Sequence, residues 1–355
     1  VVSSEAVENF AAPSPLLPVS PAPSPSPSSP PPVTPSPSLP LSPSSTITPS
    51  TAHSGHVYAL GTIAYDFGEE ARRDTFKQAM AAVNRDGVLL PPDPYDPRQM
   101  VDHLDHHPDQ APDLIWTLQL DDNTLYALDP KGPFAPATYE MFLLMLNGQL
   151  APPTSGEFID HISLPGKRTD RMVTLLSGEA VPVLNIANPR GMYGWNVPTL
   201  VEAALTTVTT PEGETALLRE GLTAFLQRVY HDLRNGGQTS RDRALNFAVT
   251  NTFQAAATFA EAISDRRQLD TIEVEKSPYC RLNSDCWDVL LTFYDPEDGK
   301  RSRQVFRFTL DVADTMPVTV GRIKRWAKPG KGVTQDPMSA SITPLLPQSL
   351  DRPYD

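Results

Sequence analysis

The chain has 355 residues, among them 39 prolines and 2 cysteines, and its 29 basic against 42 acidic residues leave a net charge of −13. That balance argues against duplex nucleic acid or an anionic membrane as partner, since both are held largely through phosphate contacts. No apolar run approaches the roughly 20 residues that a bilayer span requires. So few cysteines fit a reducing cytoplasm better than a disulfide-stapled secreted fold.

Residues 1–10 hold neither a basic n-region nor an apolar core, so no signal peptide is read there. With no initiator methionine at Val1, the chain is expected to be the C-terminal portion of something longer. Between Ala11 and Ser50 there are 15 prolines, 12 serines and no charge. Such a stretch cannot bury enough apolar surface to offset its ordering entropy, so residues 1–52 are read as a disordered Pro/Ser-rich linker. A proline-rich ligand for a recognition domain is the alternative, but no arginine or lysine flanks the prolines to orient it. Residues 53–329 are long enough for a folded domain, and 330–355 read as a flexible tail.

The folded part opens with a short strand over Val57 to Ile63, and Gly68 precedes a helix expected from about Glu69 to Val83. PPDPYDPRQM is a turn-rich connection, with a helix starting at Pro97. In DHLDHHPD, His103 and His107 are four apart beside His106, a spacing able to hold a metal on one helix face. Pro108 and the aspartates read instead as a solvent-facing helix end. Leu114 to Asp129 makes two strands about Asp121-Asp122-Asn123, and Tyr139 to Leu150 a helix stopped by Asn147-Gly148.

From Phe158 to Asn185 the pattern gives a meander of three strands separated by Gly166-Lys167 and Gly178-Glu179, with His161 an ordinary polar residue of the first. The loop NPRGMYGWN follows, whose Tyr193 and Trp195 suit either a binding surface or a core plug. Leu218, Leu222, Phe225, Val229 and Leu233 stripe a helix over Glu214 to Leu233. A capped start at Thr239 opens its antiparallel partner, running to about Arg266. Gln268 to Glu275 is a strand. The alternation of Trp287, Val289, Leu291 and Phe293, resumed by Phe306, Phe308 and Leu310 past Asp295–Gly299, makes a β-hairpin with helices packed on it. The fold class is therefore α+β, antiparallel strands and hairpins packed with several helices.

Cys280 and Cys286 lie six apart around the turn Asn283-Ser284-Asp285. They suit buried unreactive thiols, a disulfide in an oxidising compartment, or half of a zinc site looser than the usual Cys-x2-4-Cys. No Gly-x-Ser-x-Gly elbow, phosphate-cradling glycine loop or His-Glu-x-x-His occurs.

Four stretches carry a resemblance: VYALGTIAYDFGEEARRD from Val57, PYDPRQMVDHL from Pro94, NPRGMYGWN from Asn188 and SPYCRLNSDCWDV from Ser277. Together they resemble the C-terminal domain of the cyanobactin maturation proteases, the PatA/PatG family, over about His56 to Trp326. In that family the domain follows a subtilisin-like serine protease that cuts patellamide-type precursor peptides, and the PatG branch joins the core peptide head to tail. No subtilisin-triad segment occurs in this chain, so the protease is expected upstream of Val1.

The resemblance implies a non-enzymatic accessory domain that assembles the protease or presents substrate. Its partners would be the precursor peptide or other maturation enzymes, and it would be a homodimer in the cytoplasm. It also implies structural zinc, which makes Cys280 and Cys286 metal ligands, with His231 a candidate to join them. The alternative is a cysteine-dependent hydrolase using either thiol with a histidine base.

Overall fold

The computed structural model describes residues 55–85, 87–208 and 214–329. The linker read over 1–52 and the tail read over 330–355 lie outside the described residues. In chain order the elements begin with β1 (His56–Asp66), α1 (Glu70–Ala79), β2 (Val83–Arg85), β3 (Val88–Leu90) and α2 (Pro97–His106). After a 3-10 turn (Pro108–Asp113) come β4 (Ile115–Leu120), β5 (Asn123–Pro130), α3 (Ala135–Leu150), β6 (His161–Thr174), β7 (Ala180–Ile186) and β8 (Tyr193–Trp195). The helices α4 (Val197–Leu205), α5 (Thr215–Leu233), α6 (Ser240–Gln254) and α7 (Ala256–Ser264) then lead to β9 (Gln268–Lys276), β10 (Cys286–Tyr294), β11 (Arg303–Asp311), β12 (Val318–Thr319) and β13 (Lys324–Lys328). The α+β class expected from the sequence is the class observed.

Strand β1 is shared between two partners. Its first half, His56 to Gly61, pairs antiparallel with β6, and its second half, Thr62 to Asp66, pairs antiparallel with β4. The path β1-β4-β5-β7-β6 thereby closes on itself through the β1–β6 pairing, with β8 added on β6 and with β5 and β7 parallel. Closure removes the free edges that an open sheet would expose. The period of two then sorts β1 side chains: Val57, Ala59 and Ile63 join Trp116, Leu118 and Phe142 in one core, whereas Tyr58 and Leu60 turn to the helices.

The second core lies between α4–α7 and the sheet β12-β11-β10-β9. Val289, Leu291, Phe293, Phe306 and Phe308 face Leu222, Phe225, Val229 and Phe259, so the hairpin and the helices expected on it are both present. The α5–α6 connection anchors this half to the ring. Gly237 accepts from the Tyr58 N–H (3.3 Å), and the buried Asn246 amide donates to the Tyr58 carbonyl (2.8 Å) and to that of Asn235 (2.9 Å). A capping box at Thr239 and Asp242 starts α6 as its sequence indicates.

Several boundaries differ from the sequence reading for physical reasons. The strands expected on either side of Gly166 are one strand, β6, because that glycine marks a close approach: a Cβ there would lie 2.9 Å from Ile186 Cδ1. Gly148 likewise does not stop α3 but sits inside it against Ile159, whose Cδ1 would be 2.5 Å from a Cβ. Helix α1 ends at Ala79, and Val83 instead begins the small β2–β3 hairpin. The single helix expected over 240–266 is interrupted at Ala255, whose N–H is shared between the carbonyls of Asn251 and Thr252 in a tightened turn.

Candidate functional site

Where the helical half meets the ring, a cleft with a volume of about 920 Å³ runs beside the second half of β1. Its walls come from β1, the end of α3, residues 153–161, the start of α4 and one face of α5, with Tyr95, Pro97 and Gln119 at the margin. Leu146, Leu150, Phe158, Ile159, Val197 and Val201 are among its apolar lining residues. A volume of this size is at the upper end for small-molecule sites.

Asp160 organises one wall. Its Oδ2 accepts the Val197 N–H at 2.9 Å, holding the first turn of α4, while the Asn196 side chain caps the same helix through the Thr199 N–H and donates to the Ser155 carbonyl. Burial raises the Asp160 pKa, against the lowering effect of the Val197 bond. Next to it, the His161 ring stacks on Tyr230 with centroids 3.8 Å apart and planes 9° from parallel. Burial, reinforced by the nearby Arg234 cation, lowers the His161 pKa to about 4, so the imidazole in the cleft wall is neutral at physiological pH. At the rim Arg219 grips Glu202 through Nε–Oε1 (2.5 Å) and Nη2–Oε2 (3.1 Å), which holds the Glu202 carboxyl below its ordinary range.

The backbone of β1 contributes as well. Pro165 lies opposite Tyr58 and has no N–H to give, and the Tyr58 peptide groups bond to Gly237 and Asn246 instead. Even-numbered β1 residues therefore direct their peptide groups away from β6, and odd-numbered ones direct theirs towards it. Strand β6 stops pairing at Gly61↔Ile162. Beyond it the Gln149 carboxamide takes both groups of Ile63, accepting its N–H and donating to its carbonyl at 2.8 Å each. The peptide groups of Tyr65, two residues on, point to the same side and have no hydrogen-bond partner among the described residues.

The residues singled out as metal ligands lie elsewhere. Cys280 and Cys286 meet at the start of β10, where the Cys286 N–H donates to Cys280 Sγ (3.1 Å) and that thiol reaches the Ser284 carbonyl (3.0 Å). Both are free thiols, Cys280 exposed and Cys286 buried, and burial with the adjacent Cys280 sulfur raises the Cys286 pKa. His231 is not brought to them: it ends α5, accepts from Arg234 at Nδ1 (2.7 Å), and through that guanidinium is linked to Asp121. Among the described residues no three His, Cys, Asp or Glu side chains are grouped to hold a metal.

Other sequence readings are corrected or resolved by packing. His103, read as part of a solvent-facing helix end, is only 8% exposed, set edge-on to Phe76 and bonded to Gln110 (2.9 Å). Trp195 is a core plug, its Nε1 donating to Ser163 Oγ at 2.6 Å. No described helix is long and apolar enough to cross a membrane. Gln149, Asp160 and Tyr230 escaped the sequence reading, because only the fold shows that each faces β1, α4 or His161.

Residues 56–170 match the family described as PatG Domain, and residues 212–326 that described as PatG C-terminal. No curated protein matches the chain. A solved structure described as "PatG Domain of Unknown Function" is 68% identical, with a TM-score of 0.72, and the match covers 77% of this chain and 99% of that one. The four motif stretches, the matched segments and this relative agree, and the chain belongs to the family of PatG-type domains.

Proposed function

We propose that this chain is a non-catalytic accessory module of a cyanobactin-type peptide-maturation protease, and that it holds precursor peptide for a subtilisin-like domain. The observation that carries the reading is the cleft, whose walls combine apolar side chains with open strand backbone. Those are the two surfaces an unfolded peptide uses. At Cys286 a structural role is favoured over a hydrolytic one, because burial and its neighbouring sulfur keep that thiol protonated. Zinc and a homodimer belong to the same reading. Two thiols supply half of a tetrahedral shell, so the remaining ligands would come from outside the described residues of one chain.

The test is fluorescence anisotropy of a labelled precursor peptide titrated with the 355-residue chain and with Thr223→Trp, which fills the cleft from an exposed turn of α5. Binding by the parent, weakened at least about tenfold in the variant, is expected. No binding, or equal binding by the variant, refutes substrate presentation. Cleavage of the peptide by the purified chain promotes the hydrolase instead.

A further inference from the structure

We infer that the cleft receives an extended peptide as an added strand on the free second half of β1. The inference rests on the peptide-holding reading above and gives it a chemistry. Three observations converge on it. On the side of β1 that faces the cleft, β6 pairs no further than Gly61, and the second half of the strand has a ladder partner, β4, on its other side alone. The Gln149 carboxamide, one donor and one acceptor in a plane, occupies at Ile63 the place that a peptide group of a neighbouring strand would take. At Tyr65 the next donor and acceptor on that side are unpaired among the described residues, and the edge ends at Phe67, whose carbonyl accepts from Arg72 (2.6 Å). Unpaired strand groups beside an apolar wall form the recognition surface for β-strand addition, main-chain bonds giving affinity and side pockets giving selectivity.

Charge selects the occupant further. Asp66, Asp160 and Glu202 line the cleft, the first two carboxylates accepting only from neutral backbone N–H groups, and Arg219, paired with Glu202, is the one arginine or lysine among the described lining residues. The fitting ligand is therefore an extended peptide with apolar residues at alternate positions and basic or neutral residues between them. Acidic residues are disfavoured.

The probe is a capped hexapeptide alternating valine and lysine, about 20 Å long when extended, added to the 355-residue chain while amide hydrogen exchange is followed at Tyr65. Two further peptides carry N-methyl groups, one on every valine nitrogen and one on every lysine nitrogen, because only one of these sets of N–H groups faces β1. The Tyr65 amide should exchange as an open edge in the free chain and slow at least about tenfold with the parent peptide. One methylated peptide should bind at least about tenfold more weakly than the other.

Absence of binding by the parent peptide, or indistinguishable binding by the two methylated forms, overturns strand addition. So does Tyr65 protection in the free chain that grows with protein concentration, which would assign the edge to a second copy. Precursor binding without Tyr65 protection overturns strand addition and leaves the accessory reading standing. Hexapeptide docking at Tyr65 with no affinity for precursor does the reverse.

Discussion

Acidification tests the cleft wall through His161, whose ring lies flat on Tyr230 with Phe253 beyond it at 6.3 Å. Burial, with Arg234 adding to it, lowers the folded pKa to about 4, against 6.5 for a free histidine. At neutral pH both the folded and the unfolded chain carry the neutral ring, and the residue adds no pH-dependent term. Between pH 6.5 and 4 the unfolded chain binds a proton that the folded chain refuses, so stability falls as pH falls and levels off below the folded value. Linkage across that window gives a loss of about 2.5 kcal/mol at about pH 4.5, approaching roughly 3 kcal/mol in stronger acid. Carboxylates titrate in the same range, so the parent is compared with His161→Phe, which keeps a ring on Tyr230 and deletes the proton site. Urea unfolding at about pH 7 and about pH 4.5 should show the gap between the two proteins shifting by about 2.5 kcal/mol in favour of the variant. A gap that stays constant across the window refutes the reasoning, as does a directly measured His161 pKa near 6.5 in the folded chain.

Asn246→Leu removes the donor to the Tyr58 and Asn235 carbonyls and the acceptor of the Asn235 N–H (3.0 Å), all at a fully buried position. At about 1–3 kcal/mol for each orphaned group, denaturant unfolding should register a loss of several kcal/mol; a loss below about 1 kcal/mol would show that the α5–α6 connection does not depend on this amide. If Cys280 and Cys286 hold zinc, the purified protein retains the metal through gel filtration, loses it on Cys286→Ala, and melts at lower temperature with a chelator. Metal-free protein whose melts coincide with and without chelator removes zinc from the account.

Much of the helical half was legible because its signals are local. The stripe of α5, the capped start of α6 at Thr239 and the alternation of β10 and β11 each arise from residues a few positions apart. The glycines were misread because a chain reversal and a close approach leave the same letter in the sequence. Gly178 sits at positive φ in a true turn, whereas Gly166 and Gly148 are required by Ile186 and Ile159, residues that the fold alone brings against them. Ring closure was hidden for a similar reason, since nothing near His56 to Gly61 in sequence announces that β6 will be its partner.

The cleft was the least legible feature, and its origin lies in one diverted residue. Asp160 would continue β6 along β1, opposite Ile63, if the pairing ran two steps further in the same register. Its N–H instead bonds the Trp195 carbonyl (2.7 Å) and its carboxylate the first turn of α4, so the chain turns towards β8 and the helices. That diversion leaves β1 without a neighbour, lets Gln149 cap Ile63, and places His161 against Tyr230. Each of these residues is unremarkable in its own local pattern. Together they open a strand edge inside an otherwise closed ring, and such an edge is ordinarily covered because unpaired peptide groups invite association. Its placement beside apolar side chains in a cleft is the arrangement expected of an edge kept for a ligand.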